Sequence, residues 1–320
     1  MTIDICGLRC RWLVLGLMAL LSGCSVQRMA ANKLGDVLAA GGTTYSADSD
    51  PELIEAAMPF SLKLMESVLA ASPEHRELLA ATAAGFTQFA YAFVQQEAER
   101  TALQDYEKAQ AISARARGLY LRARDYGLRG LDDSHPGMSD GLRRAPRDAV
   151  ARIGPADVDL IYWTAASWAA AIGLGKDEPG LVADMPIVSA LIDRALELNE
   201  SWNRGAIHSF MVTWEMVRPD SDEGREQRAR RHLLRAVELS GGHESGPWVT
   251  WAEAVCLPQG DRSCLENSLN EALKVDPDAY PPSRLANVIS QRRAAWLIAN
   301  ADRWILPPLD NAIPNEESPQ

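Results

Sequence analysis

ALELN at residues 195–199 returns, altered, as AVELS at 236–240 and as ALKVD at 272–276. Each reads alanine, aliphatic, charged, aliphatic, polar, and the starts lie 41 and 36 residues apart. SVLAASP (67–73) and GLRGLDDSHP (127–136) are looser versions upstream. A helix end recurring at such a period marks a two-helix unit that cannot bury its apolar face alone and stacks on its neighbours. Between these ends, Ala-rich amphipathic segments alternate with short Gly, Pro and Asp breaks, and no stretch keeps a strand-like alternation. The pattern predicts helices near 30–40, 51–71, 74–98, 101–130, 146–153, 157–173, 179–199, 202–217, 222–240, 247–256, 263–275 and 282–304. Pro51, Pro73 and Pro179 fall where a first helical turn has no N–H to lose. Asp50 and Ser72 stand before the first two of these as N-caps.

The fold class is therefore all-α: degenerate tetratricopeptide-like helical hairpin repeats in a compact superhelical array that leaves a concave surface. The spacing varies and the tryptophan-glycine-tyrosine pattern of such repeats is missing, which is why the array reads as degenerate. One helix within it is unusual. In GFTQFAYAFVQQEAER (85–100), Phe86, Phe89 and Phe93 share a narrow stripe, and Gln88, Tyr91 and Gln95 gather on the opposite side. A plain surface helix would carry Lys and Glu there. Uncharged amides and a phenol tolerate partial burial when paired, so that face either lines a cavity or joins a polar network between helices. The phenylalanine stripe reads more simply as core than as ligand contact.

The chain has 320 residues, 47% hydrophobic content and a formal charge of −11. That balance argues against nucleic acid as a main partner, because phosphate contacts need a clustered basic surface. Arg115, Arg122 and Arg129 do repeat along one helix side, and the plain reading is a solvated face paired with acids.

The N-terminus carries an address. Arg9 and Arg11 precede WLVLGLMALLSG, an apolar run too short to span a bilayer comfortably, and Leu21-Ser22-Gly23-Cys24 follows. This resembles the lipobox of bacterial lipoprotein precursors, whose cysteine is acylated after cleavage before it. The expected organisation is a lipoprotein signal peptide at 1–23, a lipidated tether with a first short helix at 24–45, a helical-repeat domain at 46–304, and a Pro-rich, acidic, disordered tail at 305–320. Several acyl chains hold a protein stably where one does not. The mature chain would thus be periplasmic and lipid-anchored through Cys24, and Ser25 after it leans toward the outer membrane. Removing 1–23 takes Asp4, Arg9 and Arg11, moving the formal charge from −11 to −12. Cys6 and Cys10 go with the signal and Cys24 is taken by lipid, so only Cys256 and Cys264 remain, flanking LPQGDRS, either as a structural disulfide or as two buried thiols.

No catalytic constellation stands out, and the expectation is a protein that is not an enzyme and needs no cofactor. The five histidines form no HExxH and no i,i+4 pair for a metal. GHESG (242–246) places its serine one position late for a nucleophile elbow. GLGKD (173–177) lacks the phosphate-loop spacing, and DPD (276–278) reads as a turn.

Four stretches resemble the T-component family of TRAP transporters: LLAATAAGFTQFAYAFVQQEAER (78–100); GLYLRARDYGLRGL (118–131) with HPG (135–137); DLIYWTAASWAAAIGLGKDEPGLVADMPIVSALIDRALELNESWNRGAIHSF (159–210); and HLLRAVELSGGHESGPWVTWAEAV (232–255) with LNEALKVDPDAYPPSRLANVISQRRAAWLI (269–298). They run in order through most of the mature chain. The resemblance implies tetratricopeptide-like hairpins with a cleft and pore in each protomer, and a homotrimer. It also implies a periplasmic solute-binding protein as partner and a small organic ligand, carboxylate or hydrophobic, in a system driven by an ion gradient. The Cys256–Cys264 segment and the tail depart from that family pattern.

Gln88, Tyr91 and Gln95 are then the better cleft residues, able to orient a polar head while aromatic neighbours hold an apolar body. In YWTAASW (162–168), Tyr162, Trp163 and Trp168 cannot share one face, so one packs inward while another can reach a cleft. Asn203 and Arg204 can meet an acidic ligand or simply begin a helix. His208 is either a satisfied core or capping histidine, which is the plainer reading, or a ligand contact. The alternative function is a scaffold lipoprotein for envelope assembly, which predicts a solvated concave surface and no enclosed cavity.

Overall fold

A computed structural model describes residues 28–219 and 224–305 of the 320. The signal peptide, Cys24 and the tail from 306 onward lie outside the described residues. Among the described residues there is no strand, and the fold is all-α. Helix α1 covers 28–40 and α2 is Gly42–Ser46. Next come α3 (Pro51–Ala71), α4 (Arg76–Phe89), α5 (Gln96–Thr101), α6 (Tyr106–Ser134), α7 (Met138–Arg144) and α8 (Pro146–Val150). The second half has α9 (Val158–Leu174), α10 (Pro179–Val182), α11 (Met185–Leu198), α12 (Ala206–Val217) and α13 (Arg225–Ser240). It ends with α14 (Gly246–Trp251), α15 (Leu257–Gln259), α16 (Arg262–Lys274) and α17 (Arg284–Ala299).

The three recurring pentapeptides sit at the C-terminal ends of α11, α13 and α16. Their alanines Ala195, Ala236 and Ala272 are all completely or almost completely buried. A methyl there lets the last turn of each helix lie close against its neighbour, which is why the motif recurs. The arrangement is compatible with a degenerate tetratricopeptide-like array. Helices α6 and α9 pack close together along one seam, because Gly127 and Gly130 give their side-chain space away. A Cβ on Gly127 would sit 2.0 Å from Thr164 Oγ1, and one on Gly130 2.7 Å from a Leu160 methyl.

Several boundaries differ from the sequence expectation. Asp50 does cap α3, accepting from Leu53 N–H. Ser72, expected to cap the next helix, instead closes α3, and His75 caps α4 by accepting from Leu78 N–H. Pro73 therefore lies in the turn. The helix expected over 101–130 starts at Tyr106, where Asp105 caps it, and runs on to Ser134. The segment 179–199 breaks around Ala183–Asp184 into α10 and α11, and α7 was not expected at all.

Two helices are interrupted by π turns: Ala90–Gln95 joins α4 to α5, and Ala252–Cys256 joins α14 to α15. Pro258 supplies a reason for the second. It has no N–H for the carbonyl four residues back, so the ladder slips there. The structure joins Cys256 to Cys264 just beyond, with Cα atoms 5.4 Å apart.

A large core runs from α3 to α12, and a second fills α12 to α17. The last helix then returns to the first ones. Arg292 pairs with Glu52 of α3, Arg284 Nη1 donates to Ala47 O at 2.9 Å, and Arg293 pairs with Glu99 of α5. The two ends of the array thus meet.

Candidate functional site

Between α1, α4 and α9 lies a cleft of about 680 Å³. Its walls come from α1 (Asp36, Ala39, Ala40), the start of α4 (Arg76, Glu77, Ala80, Ala81, Ala84), the start of α9 (Asp159, Leu160, Trp163), and Trp202 with Asn203. The run of alanines explains the hollow, since longer side chains on α4 would fill it. Trp202 is locked in place: its indole N–H donates to Asp159 and its ring lies 4.4 Å from Tyr162. Tyr162 meets Trp163 edge-on at 5.0 Å and Phe210 at 6.3 Å, so four aromatic rings brace one another. Burial pushes the Tyr162 phenol well above its usual range.

The turn after Trp202 is strained. Asn203 (φ 43°) and Arg204 (φ 58°) both adopt the left-handed conformation, followed by Gly205 at φ 91°. Such non-glycine residues cost of order 1–3 kcal/mol each and persist only where the surroundings enforce them. Asparagine tolerates the region better than most. The corner turns Asn203 into the cleft and Arg204 away from it. Arg204 donates to Ser240 O, lies 3.9 Å over the Tyr280 ring and sits 3.7 Å from Glu244. Of the pair expected to meet a ligand together, only Asn203 lines the cleft.

The same face of the composite helix continues away from the cleft. Glu77, Ala81, Ala84, Gln88, Tyr91, Gln95 and Glu99 follow one another at intervals of three or four residues, and none of them is fully buried. Phe86, Phe89 and Val94 on the other side are core, and Phe93 is half-buried against it. Gln95 belongs to a network: it accepts from Tyr120 O–H at 2.7 Å and donates to Glu99 at 3.1 Å. Gln88 is exposed. Tyr91 is 42% exposed, yet desolvation, with the Glu253 carboxylate adding and Arg293 opposing, pushes its phenol well above 10.

Tyr91 looks onto a triad that local sequence reading missed. Arg293 of α17 donates through Nε and Nη2 to one oxygen of Glu253, at 2.8 and 2.6 Å, and also pairs with Glu99. Its guanidinium stacks 4.7 Å over Trp296. Burial raises the Glu253 carboxyl, while Arg293 pulls it back. Tyr91 and Glu253 stand on the two π turns. A π turn shifts the register of the side chains beyond it and is frequent at functional sites.

The remaining expected residues lie elsewhere. Trp168 is buried, donates to Asp184 at 3.2 Å and carries Arg124 over its ring. His208 is buried and forms a pair with His232, Nδ1 to Nδ1 at 2.8 Å, while its Nε2 meets Glu200 at 3.3 Å. Desolvation, then His208, pushes His232 down to about 4. The pair borders a separate hollow of about 430 Å³ with Arg231 and Arg235. Among the described residues no three His, Cys, Asp or Glu are grouped to hold a metal. Asp159 and Trp202 border the expected positions in sequence, and the 77-to-99 stripe was legible as spacing. Glu253 and Arg293 carried no local signal.

Fold and site together define an all-helical protein with an aromatic-walled cleft. The family model for the TRAP transporter T-component matches residues 47–304, and the chain belongs to that family. An uncharacterized protein of Treponema pallidum (strain Nichols) is 27% identical to it over 305 residues, covering 90% of this chain and 94% of that relative. The family is one of transport rather than catalysis, so the chain is an accessory component of a TRAP transporter, extracytoplasmic or membrane-associated. No helix among the described residues is long and apolar enough to cross a membrane.

Proposed function

We propose that the chain is a non-enzymatic, periplasmic lipoprotein that holds or passes on a small organic ligand for a TRAP-type uptake system, together with a solute-binding protein. Acylation at Cys24 anchors it, in the outer membrane by the character of Ser25, and it works as a homotrimer. The observation that carries the ligand-handling part is the 680 Å³ cleft with its braced tryptophans. Small-molecule sites have this make-up: a concave, mostly apolar lining with few oriented polar groups. Of the carboxylate and hydrophobic ligand classes, the lining supports an apolar body. Its one guanidinium, Arg76, is already taken by Asp157 at 2.7 Å and by Ala156 O. The anchor is supported by the lipobox, and the partner by the family.

Native mass spectrometry of the chain lacking Cys24, purified from its host's periplasm, tests the reading. A trimer with a bound small organic molecule, or one that co-purifies with a solute-binding protein, supports it. A ligand-free monomer that captures no such partner sinks it in favour of an envelope-assembly scaffold.

A further inference from the structure

The cleft's charge and its aromatic walls agree on a ligand class that neither the fold nor the family specifies. Three carboxylates line it, Asp36, Glu77 and Asp159, against the single guanidinium of Arg76. Arg76 is spent on Asp157 and Ala156 O, as described. Lys33 reaches Asp36 at 3.3 Å from the solvent side, where it is 82% exposed. The nearby His75 ring accepts from Leu78 N–H through Nδ1, which also lies 3.5 Å from Glu77, and faces Asn32 O and Asp36 through Nε2. None of these places a free cation over the tryptophans.

Trp163 and Trp202 stand nearly perpendicular, 78° between planes and 6.3 Å between centroids. Two rings at that angle make a corner in which a positive group can face both. Attraction of a cation to a ring face acts within about 6 Å of the centroid and is strongest for tryptophan. Asp159 ties the corner together, since it is the acceptor for the Trp202 indole and is exposed at the cleft. A carboxylate ligand would meet like charge here, and the chain's formal −11 would also repel it on approach.

We infer that the cleft takes an organic cation, a quaternary or substituted ammonium group on a compact apolar body, seated in the Trp163–Trp202 corner and balanced by Asp159 and Glu77, Asp36 being held by Lys33 and His75. This rests on the reading of the cleft as the ligand site.

The test uses three probes of one shape: choline, its neutral carbon isostere 3,3-dimethylbutan-1-ol, and the anion 3,3-dimethylbutanoate. Their affinities for the chain lacking Cys24 are measured by tryptophan fluorescence and calorimetry. Choline should bind at least about tenfold more tightly than the alcohol, and the anion more weakly than either. Asp159→Asn keeps an acceptor for the indole and removes the charge. It should lower choline affinity about tenfold and leave the alcohol unchanged, with an unaltered melting temperature showing that the fold is intact. If Asp159→Asn does not fold, Glu77→Gln carries the same test. Equal binding of choline and alcohol, or preference for the anion, overturns the cation assignment while leaving the cleft as a ligand site. No binding of any of the three overturns the assignment and counts against the cleft reading itself.

Discussion

At the scale of single residues, strain and desolvation mark the positions that packing alone does not explain. Asn203 holds φ 43° at the mouth of the cleft. Glycine reaches that conformation without a steric penalty. Asn203→Gly should therefore be neutral or stabilising by up to about 1 kcal/mol in chemical denaturation. If the amide contacts ligand, the same variant should lose affinity. A clear destabilisation would mean the asparagine's own contacts, not strain, dominate the corner. His232 gives a second residue-scale prediction. Its folded value of about 4 lies below the ordinary 6.5, so the folded chain binds this proton less readily than the unfolded one. Its contribution to stability is present above pH 6.5 and is lost as pH falls through that window toward 4. His232→Gln should flatten that part of a melting-temperature profile. An unchanged acid limb would show that other groups set it.

At the scale of elements, glycine and proline decide where helices touch and where they slip. Gly127 leaves no room for a methyl beside Thr164. Gly127→Ala should cost about 1–3 kcal/mol by overpacking the α6–α9 seam. Thr164→Ala in the same chain should recover part of it, since the two sites share one contact. Additive losses in that double mutant would refute the clash. The π turns work differently. They leave the helix unbroken but shift which residues face inward, and two such turns put Tyr91 and Glu253 beside one arginine. Periodicity at 100° per residue placed Gln88, Tyr91 and Gln95 together. It could not show that Gln95 joins Tyr120 and Glu99 in a network while Tyr91 stands beside Arg293 and Glu253. That division depends on which helices pack alongside.

At the scale of the molecule, adjacent arginines on α17 close the array in unequal ways. Arg292 and Glu52 are both more than half exposed, whereas the Arg293 side chain is 9% exposed and held between two glutamates. Arg292→Ala should change stability by less than about 1 kcal/mol, as surface pairs do. Arg293→Ala leaves Glu253 and Glu99 facing each other without their counter-ion and should cost about 3–5 kcal/mol. Denaturant unfolding of the two variants side by side reads the contrast. Similar small losses for both would show that the interior triad does not hold the ends together.

The sequence by itself determined the all-α class, the family, the repeating helix ends and the aromatic helix with its polar stripe. Each of these follows from short-range periodicity or from residues kept in order along the chain. Only the tertiary structure decided which polar groups meet. Asp159 and Trp202 are 43 positions apart, and Arg293 lies 40 from Glu253 and far from Glu99. Such groups are brought together by stacking and by closure of the last helix on the first. The packing of α1, α9 and the Trp202 turn around α4 made a cleft out of alanines that read, along one helix, as ordinary filling.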